Sequence, residues 1–598
     1  MGTPDVNAQV CTVSSRHTPP LVSGSPRPTP PSRSEPLMSA VDGPLVVGVD
    51  SSTQSTKVLV VDAGSGRVVA SGQAGHTVSP GAARESDPEQ WWEALVEALR
   101  QCGGAAREAA AVSVGGQQHG LVALGGDGHP VRPALLWNDV RSAPQAARLI
   151  EELGGAAWWA GRIGSVPAPA FTAPKWAWLR EHEPEAAAAT RAVRLPHDYL
   201  TERLTGEPTT DRGDASGTGW WASATETYDD EVLSAICLDP ELLPRVVRPG
   251  EVAGTVRARA ELPFADGTLV AAGTGDNAAA ALGLGLRPGT PVMSLGTSGT
   301  TYAVSRDRPA DPSGTVAGFA DARGDWLPLA CTLNCTLAVD RVAALLGLDR
   351  EAVEPGGTAT FLPFLDGERT PNLPAASGLL HGLRHDTSGG QLLQAAYDGA
   401  AFALLRALDL VLGDKADSKP GDKPDSKPGG KPDSKSGGKP GGRNSAVGAG
   451  TAGADTGPRG ACAGTGGGGT GSGGADSGAP LLLIGGGARG TAWQETVRRL
   501  SGRAVQVPRA RELVALGAAA QAAGLLTGED PAAVARRWDT ARGPLLDPVR
   551  RDDETLERLA AVLDGAGPLF GAPGAGGPSG RLCTVAVAGS VAAPGAAE

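Results

Sequence analysis

The chain has 598 residues, of which 40% are hydrophobic and 20% charged, with a formal net charge of -12. That length exceeds what one hydrophobic core usually serves, so two or more domains are expected. The acidic balance argues against general binding to nucleic acid or to an anionic membrane, both of which attract positive surface.

No apolar run reaches the roughly 18 residues of a membrane-spanning helix. The first residues lack the basic-then-apolar pattern of a secretory signal. Seven scattered cysteines fit a reducing cytoplasm better than a disulfide scaffold. The close pair Cys331 and Cys335 has no second Cys or His pair beside it, so it reads as two buried helix positions rather than a metal site.

Residues 1–43 are rich in Pro, Ser and Thr and are expected to form a disordered leader, with Met38 as a candidate start. Runs at 45–49, 57–61 and 67–70 are short, apolar and separated by turn residues, which predicts antiparallel hairpins. A helix follows, with Asp87 as N-cap, Pro88 at the first position and Gln90 at the third. Trp91, Leu95 and Leu99 recur every four residues and give it one buried face. Further strands are expected at 112–115, 134–136, 268–272, 291–295, 481–484 and 504–507. The stretch 414–478 repeats a Lys-Pro-Asp-Ser-Lys theme and then becomes Gly, Ala, Ser and Thr, with nothing to build a core. As a surface loop it is tolerable, since lengthening a loop from about 10 to about 65 residues costs only about 1.7 kcal/mol. Hairpins mixed with strand-helix units indicate an α/β protein.

Three turns place small residues and hydroxyls directly after a strand. The first is Asp50-Ser51-Ser52-Thr53-Gln54-Ser55-Thr56-Lys57. Its amides and hydroxyls suit a phosphate, Asp50 suits a magnesium ion through water, and Lys57 adds positive charge. An ordinary polar hairpin is the equally good plain reading. The second, Ser294-Leu295-Gly296-Thr297-Ser298-Gly299-Thr300, repeats the pattern in the other half of the chain. The third is Gly485-Gly486-Gly487-Ala488-Arg489, between a strand and a helix, where glycines let the backbone approach a flat ring or a phosphate.

These segments, with Gly116-Gln117-Gln118-His119-Gly120, Trp137-Asn138-Asp139-Val140-Arg141, Asp214-Ala215-Ser216-Gly217-Thr218, Gly273-Thr274-Gly275-Asp276-Asn277 and Gly367-Glu368-Arg369-Thr370-Pro371, occur in an order that resembles the FGGY carbohydrate kinases. The resemblance covers roughly residues 45–564. It implies an α/β, two-domain actin-like ATPase (ribonuclease H-like) fold with an interdomain cleft. Residues 44–286 would form the N-terminal sugar-binding domain. Residues 287–565 would form the C-terminal ATP-binding domain, interrupted by 414–478, with a disordered tail at 566–598.

The implied activity is ATP-dependent phosphorylation of a small ketose, D-xylulose in the branch the chain most resembles. Ribulose, glycerol or gluconate are alternative acceptors, and a non-catalytic sugar-binding regulator is the alternative outside enzymes. Mg²⁺ is the implied cofactor, and a small-molecule sugar and ATP are the implied partners, with no nucleic acid, no membrane, a homodimer allowed and a cytoplasmic location.

Carried over residue by residue, the resemblance assigns Asp276 as catalytic base and Asn277 beside the sugar. Gln118, His119, Trp137, Asn138 and Asp139 would contact the sugar. Thr53, Ser55, Thr56, Lys57 and Thr297 would contact the phosphates, Gly486, Gly487 and Ala488 adenosine, and Asp50 the magnesium. The family's pattern at the sugar is Gln-Met-His-Gly, and Gln118 stands where it has Met. His119, in a Gly-flanked turn, reads as a sugar contact rather than a structural histidine. The turn at 137–139 admits a plain structural reading, Asp214 is equally an N-cap or turn residue, and 367–371 is expected to shape a hinge without carrying chemistry.

Overall fold

The computed structural model describes residues 43–81, 83–413 and 478–570. The leader up to residue 42, the stretch 414–477 and the tail from 571 lie outside the described residues.

The N-terminal half is built on one sheet. β1 (Leu45–Ser51) is a Val-rich run buried along its whole length, the pattern of a strand covered on both faces. β2 (Ser55–Asp62) and β3 (Val68–Gly75) continue it as the expected antiparallel meander. The helix α1 (Pro88–Gln101) starts as its sequence specifies: the Asp87 carboxylate accepts from the Glu89 N–H, a cap that contributes about 1 kcal/mol. Trp91, Leu95 and Leu99 are fully buried on its inner face. Gln90 does not reach back to the cap. Its Oε1 accepts instead from the Thr77 N–H (3.0 Å) and hydroxyl (2.8 Å), tying the helix to the segment after β3.

β4 (Ala109–Gly116) runs parallel to β1. The helix α2 (Pro196–Thr205) and the short α3 (Arg212–Ala215) precede β5 (Val252–Thr255) and β6 (Leu269–Ala271). The strand order is β5-β6-β4-β1-β2-β3, with Thr274–Gly275 also paired to the end of β4. The helix α4 (Asp276–Gly283) leaves directly from that pairing.

The second sheet repeats the plan. β7 (Val292–Leu295), β8 (Gly299–Tyr302), β9 (Ala317–Ala320) and β10 (Trp326–Thr332) pair antiparallel. After the helices α5 (Thr336–Leu346) and α6 (Gly389–Leu412), β11 (Leu481–Ile484) lies parallel to β7. The helix α7 (Thr491–Ser501) leads to β12 (Val505–Gln506), parallel to β11. The helix α8 (Leu513–Thr527) and the edge strand β13 (Leu545–Leu546) complete the order β9-β10-β8-β7-β11-β12-β13. Each sheet is therefore an antiparallel meander continued by parallel strands and closed by an antiparallel edge strand.

Helix α8 comes from the C-terminal segment yet packs on β1, β4 and α4 of the N-terminal one. Small residues permit this. A Cβ on Gly517 would lie 1.8 Å from the Ala279 carbonyl, on Gly283 2.0 Å from that of Leu513, and on Gly48 1.9 Å from that of Ala515. Backbones touch, and no side chain fits between them.

Two expectations are corrected. Cys331 lies in strand β10, paired with Thr300, and Cys335 is the N-cap of α5, so they are not two helix positions. The fold also continues into the expected tail: Gly567–Phe570 forms a 3-10 turn, and Phe570 packs on Phe364 with ring centroids 6.0 Å apart. The Phe570 ring is buried, 4% exposed, which gives this last turn an anchor. Among the described residues no helix is long and apolar enough to cross a membrane.

Candidate active site

A cavity of about 610 Å³ opens between the two sheets. From the first half it takes Asp50 and Lys57 of the β1–β2 hairpin with Asp276 and Asn277 at the start of α4. From the second it takes Ser294, Tyr302, Gly485, Gly486 and Ala488. Strand order explains the meeting, because both hairpins and the α4 start leave the same ends of their sheets.

Asp276 is the first residue of α4. Its Oδ1 accepts from the Asn277 N–H (2.7 Å) and from Asn277 Nδ2 (2.9 Å). Burial, then the charges of Asp50 and Asp214, push its carboxyl up to about 7, a value suited to taking a proton near neutral pH.

Asp50 is 6% exposed and is pushed up to about 6, chiefly by burial, with Lys57 opposing and Glu512 reinforcing the shift. Its Oδ1 is buried without a hydrogen-bond partner. A carboxylate oxygen left in that state fits a cation or a metal-bound water, so the residues present suit a divalent ion here. Lys57 Nζ lies 4.0 Å from Asp50 and 2.5 Å from Glu512, the residue before α8.

The remaining hairpin residues divide by face. Trp137 Nε1 donates to Thr53 Oγ1 (3.2 Å), which joins a candidate sugar contact to the tip of the first hairpin. Ser55 lies on the Lys57 face and accepts from Gln73 (3.4 Å). Thr56, one residue out of phase, is fully buried with its hydroxyl 3.3 Å from Ser51 Oγ, so it braces the hairpin and does not line the cavity. Thr297 is exposed at the tip of the second hairpin. That tip is docked on α5, the Gly296 carbonyl accepting from the Thr336 N–H and hydroxyl.

The glycine loop needs its glycines for two reasons. Gly485 has φ +86°, and a Cβ there would lie 2.7 Å from the Leu295 carbonyl; one on Gly487 would lie 2.6 Å from Thr336 Cγ2. A Cβ on Gly486 would meet nothing, because that residue borders the cavity. Gly487 is thus packed behind the wall that Gly486 and Ala488 form.

On the sugar side, Gln118 is 6% exposed and its Oε1 accepts from Asn277 Nδ2 (2.9 Å). His119 sits at φ +64°, with Nδ1 2.8 Å from the Gly217 carbonyl and its ring stacked on Phe171 at 5.1 Å. Burial, then Lys175 and Arg369, push its imidazole down to about 3, so it is neutral. With Nδ1–H donated to a carbonyl, Nε2 is left as an acceptor. Asn138 Oδ1 is buried without a partner. Asp139, by contrast, is occupied: its carboxylate accepts from the Arg84 N–H and from the Arg141 N–H and guanidinium, so it anchors the turn.

Several groups escaped sequence reasoning. Lys175 is 1% exposed and donates to the carbonyls of Pro169, Ala170 and Phe171, holding the loop that carries the ring under His119. Burial brings its ammonium down to about 7. The segment 367–371, expected to carry no chemistry, presents Arg369. That residue makes no ion pair among the described residues, and its charge acts on His119. Asp214 is neither N-cap nor turn: Asp211 caps α3, and Asp214 bonds His197. No local pattern marks these partners, since each pairing joins distant parts of the chain.

Two sheets of matched plan around a cleft, with paired hairpins, a glycine loop and an aspartate at a helix start, define an ATP-dependent small-molecule kinase of the actin-like class. Residues 45–283 match the N-terminal domain, and residues 292–525 the C-terminal domain, of the FGGY family of carbohydrate kinases. The chain belongs to that family. It is 72% identical over 533 residues to a xylulose kinase of Streptomyces rubiginosus, covering 89% of this chain and 98% of that protein. A xylulose kinase of Streptomyces coelicolor is 71% identical with the same coverage. Among solved structures, xylulose kinase from Bifidobacterium adolescentis is similar at TM-score 0.67 and 32% identity, covering 87% of this chain and 99% of that one.

Proposed function

We propose that this chain transfers the γ-phosphoryl group of ATP to the C5 hydroxyl of D-xylulose, giving D-xylulose 5-phosphate and ADP. The observation that carries the reading is the junction of Asp276 and Asn277 with the phosphate-side residues Asp50 and Lys57 in one cavity, in a chain so similar to xylulose kinases.

The hydroxyl oxygen forms its bond to the γ-phosphorus as the bond to the β–γ bridging oxygen breaks. ADP leaves with that electron pair, and the hydroxyl proton passes to Asp276. Phosphoryl transfer asks the protein mainly for positioning and charge neutralisation. His119 Nε2 and Asn138 Oδ1 accept from sugar hydroxyls, and Trp137 covers the sugar beside Thr53. Lys57 and the two hairpins face the phosphates, and Gly486 and Ala488 face adenosine. Asp50 would hold Mg²⁺, which when bound neutralises phosphate charge. Free cysteines such as Cys102 and Cys335 and the need for ATP suit a cytoplasmic location.

Coupled ADP release over D-xylulose, D-ribulose, glycerol and gluconate tests the reading. The highest kcat/KM is expected for D-xylulose; a better rival acceptor overturns the substrate, and no ADP release with any sugar overturns the enzyme.

A further inference from the structure

The sugar segment is backed by a strand of the other half. β9 is the edge strand of the second sheet, so its outward N–H groups have no neighbouring strand to bond. Two serines of the N-terminal half take them. The Gly318 N–H donates to Ser165 Oγ (2.9 Å), and the Ala320 N–H donates to Ser216 Oγ (2.9 Å). Both serines are at most 1% exposed, and the Ser216 hydroxyl in turn donates to the Gly213 carbonyl (2.6 Å). The approach is close: a Cβ on Gly318 would lie 2.3 Å from the Gly164 carbonyl oxygen.

Between those two bonds stands Phe319, 3% exposed. Its ring lies 5.4 Å from the His119 ring and 5.9 Å from that of Phe171, while Phe171 stacks on His119 at 5.1 Å. Two aromatic rings, one from each half, therefore pack on the imidazole, and such pairs contribute beyond the area they bury. The remaining restraint is His119 Nδ1, 2.8 Å from the carbonyl of Gly217, the residue after Ser216. The contacts close on themselves: Phe319 to Ala320, across to Ser216 and Gly217, on to His119, and back to Phe319. His119 sits at φ +64°, an uncommon conformation for a residue other than glycine, so these tertiary contacts hold it where its own backbone would not.

We propose that Phe319 is a positioning residue for the sugar: it holds the His119 ring so that Nε2 meets one hydroxyl of the acceptor, and Ser165 and Ser216 hold β9 in place for that task. This rests on the reading of His119 as a sugar contact. The acceptor pocket is then set by both halves, with Phe319 standing behind the imidazole. A hydrogen bond made to the sugar in ground state and transition state alike affects KM more than kcat, so disturbing Phe319 weakens sugar binding and spares the ATP site.

The test uses the full chain with Phe319→Leu, Ser165→Ala, His119→Ala and the double variant His119→Ala/Phe319→Leu, each assayed with D-xylulose and ATP. Leucine keeps an apolar side chain and removes the flat ring. Phe319→Leu is expected to raise KM for D-xylulose about tenfold, with kcat and KM for ATP within about twofold. Ser165→Ala leaves the Gly318 N–H unpaired and is expected to raise the same KM about fivefold. Because Phe319 acts through His119, the double variant is expected to be no worse than His119→Ala alone. An unchanged KM for D-xylulose in Phe319→Leu, a parallel rise in KM for ATP, or losses that multiply in the double variant each overturn the proposal. If Phe319→Leu does not fold, Ser165→Ala decides alone, and a KM for D-xylulose within about twofold of the parent overturns it. His119→Ala separates the two readings: normal kcat/KM for D-xylulose in that variant sinks the sugar contact, whereas an impaired His119→Ala beside a normal Phe319→Leu sinks only the positioning.

Discussion

His119 shows how much one residue's surroundings decide. Its Nδ1–H is committed to the Gly217 carbonyl and its ring is held neutral, so Nε2 can only accept. His119→Ala leaves a sugar hydroxyl without that acceptor, worth about 1–3 kcal/mol. We expect kcat/KM for D-xylulose to fall about 10- to 100-fold, with ATP binding by calorimetry unchanged. Equal damage to ATP binding would place the work of His119 elsewhere. The two cleft aspartates give a pH prediction. Asp276 acts ionised, and its carboxyl is raised to about 7, so kcat/KM for the sugar is full above that pH and lost as pH falls through it. The Asp50 charge contributes to that rise. Asp50→Asn removes it, so the acid limb of the profile moves to lower pH, alongside the loss of a metal ligand. A limb that stays in place contradicts the coupling of the two groups.

Among the elements, the glycine loop separates binding from folding. Gly486→Val projects into the cavity, where it should raise KM for ATP and leave Tm nearly unchanged. Gly485→Ala instead strains a residue at φ +86° against the Leu295 carbonyl, at a cost of order 1–3 kcal/mol visible in denaturant titration. Gly517→Ala forces α8 off α4 and should lower Tm by several degrees, since overpacking against backbone costs about 1–3 kcal/mol. If both of the last two variants melt like the parent, the backbone contacts described are absent in solution. These elements were legible because their signals are local: the β1–β2 turn, the Asp87 start of α1 and the Gly485 loop each lie within a few residues. Thr56 was assigned to the phosphates with its neighbours, although alternation on β2 turns it away from Ser55 and Lys57 and buries it. The occupation of Asp139 was not legible, since it depends on Arg84 far along the chain. Nor was the burial of Lys175 and His197, which only packing of distant segments decides.

For the whole molecule, the sheets meet around a cavity that neither half could form. Lys57 bonds Glu512 across 455 positions of sequence, and α8 carries the C-terminal segment onto the N-terminal sheet. Order of motifs along the chain is enough to imply such a cleft, but it does not say that Asp50 and Asp276 influence each other or that Gln118 serves Asn277. Closing the domains around both substrates would exclude water and limit ATP hydrolysis. The central claim is that Asp276 takes the proton from the attacking hydroxyl. Turnover of D-xylulose by Asp276→Asn, measured beside ATP affinity by calorimetry, tests it most directly. The substitution keeps the side chain's size and removes the base, so kcat is expected to fall by about 10² to 10⁴ with ATP affinity preserved. Near-normal turnover in that variant would contradict the account.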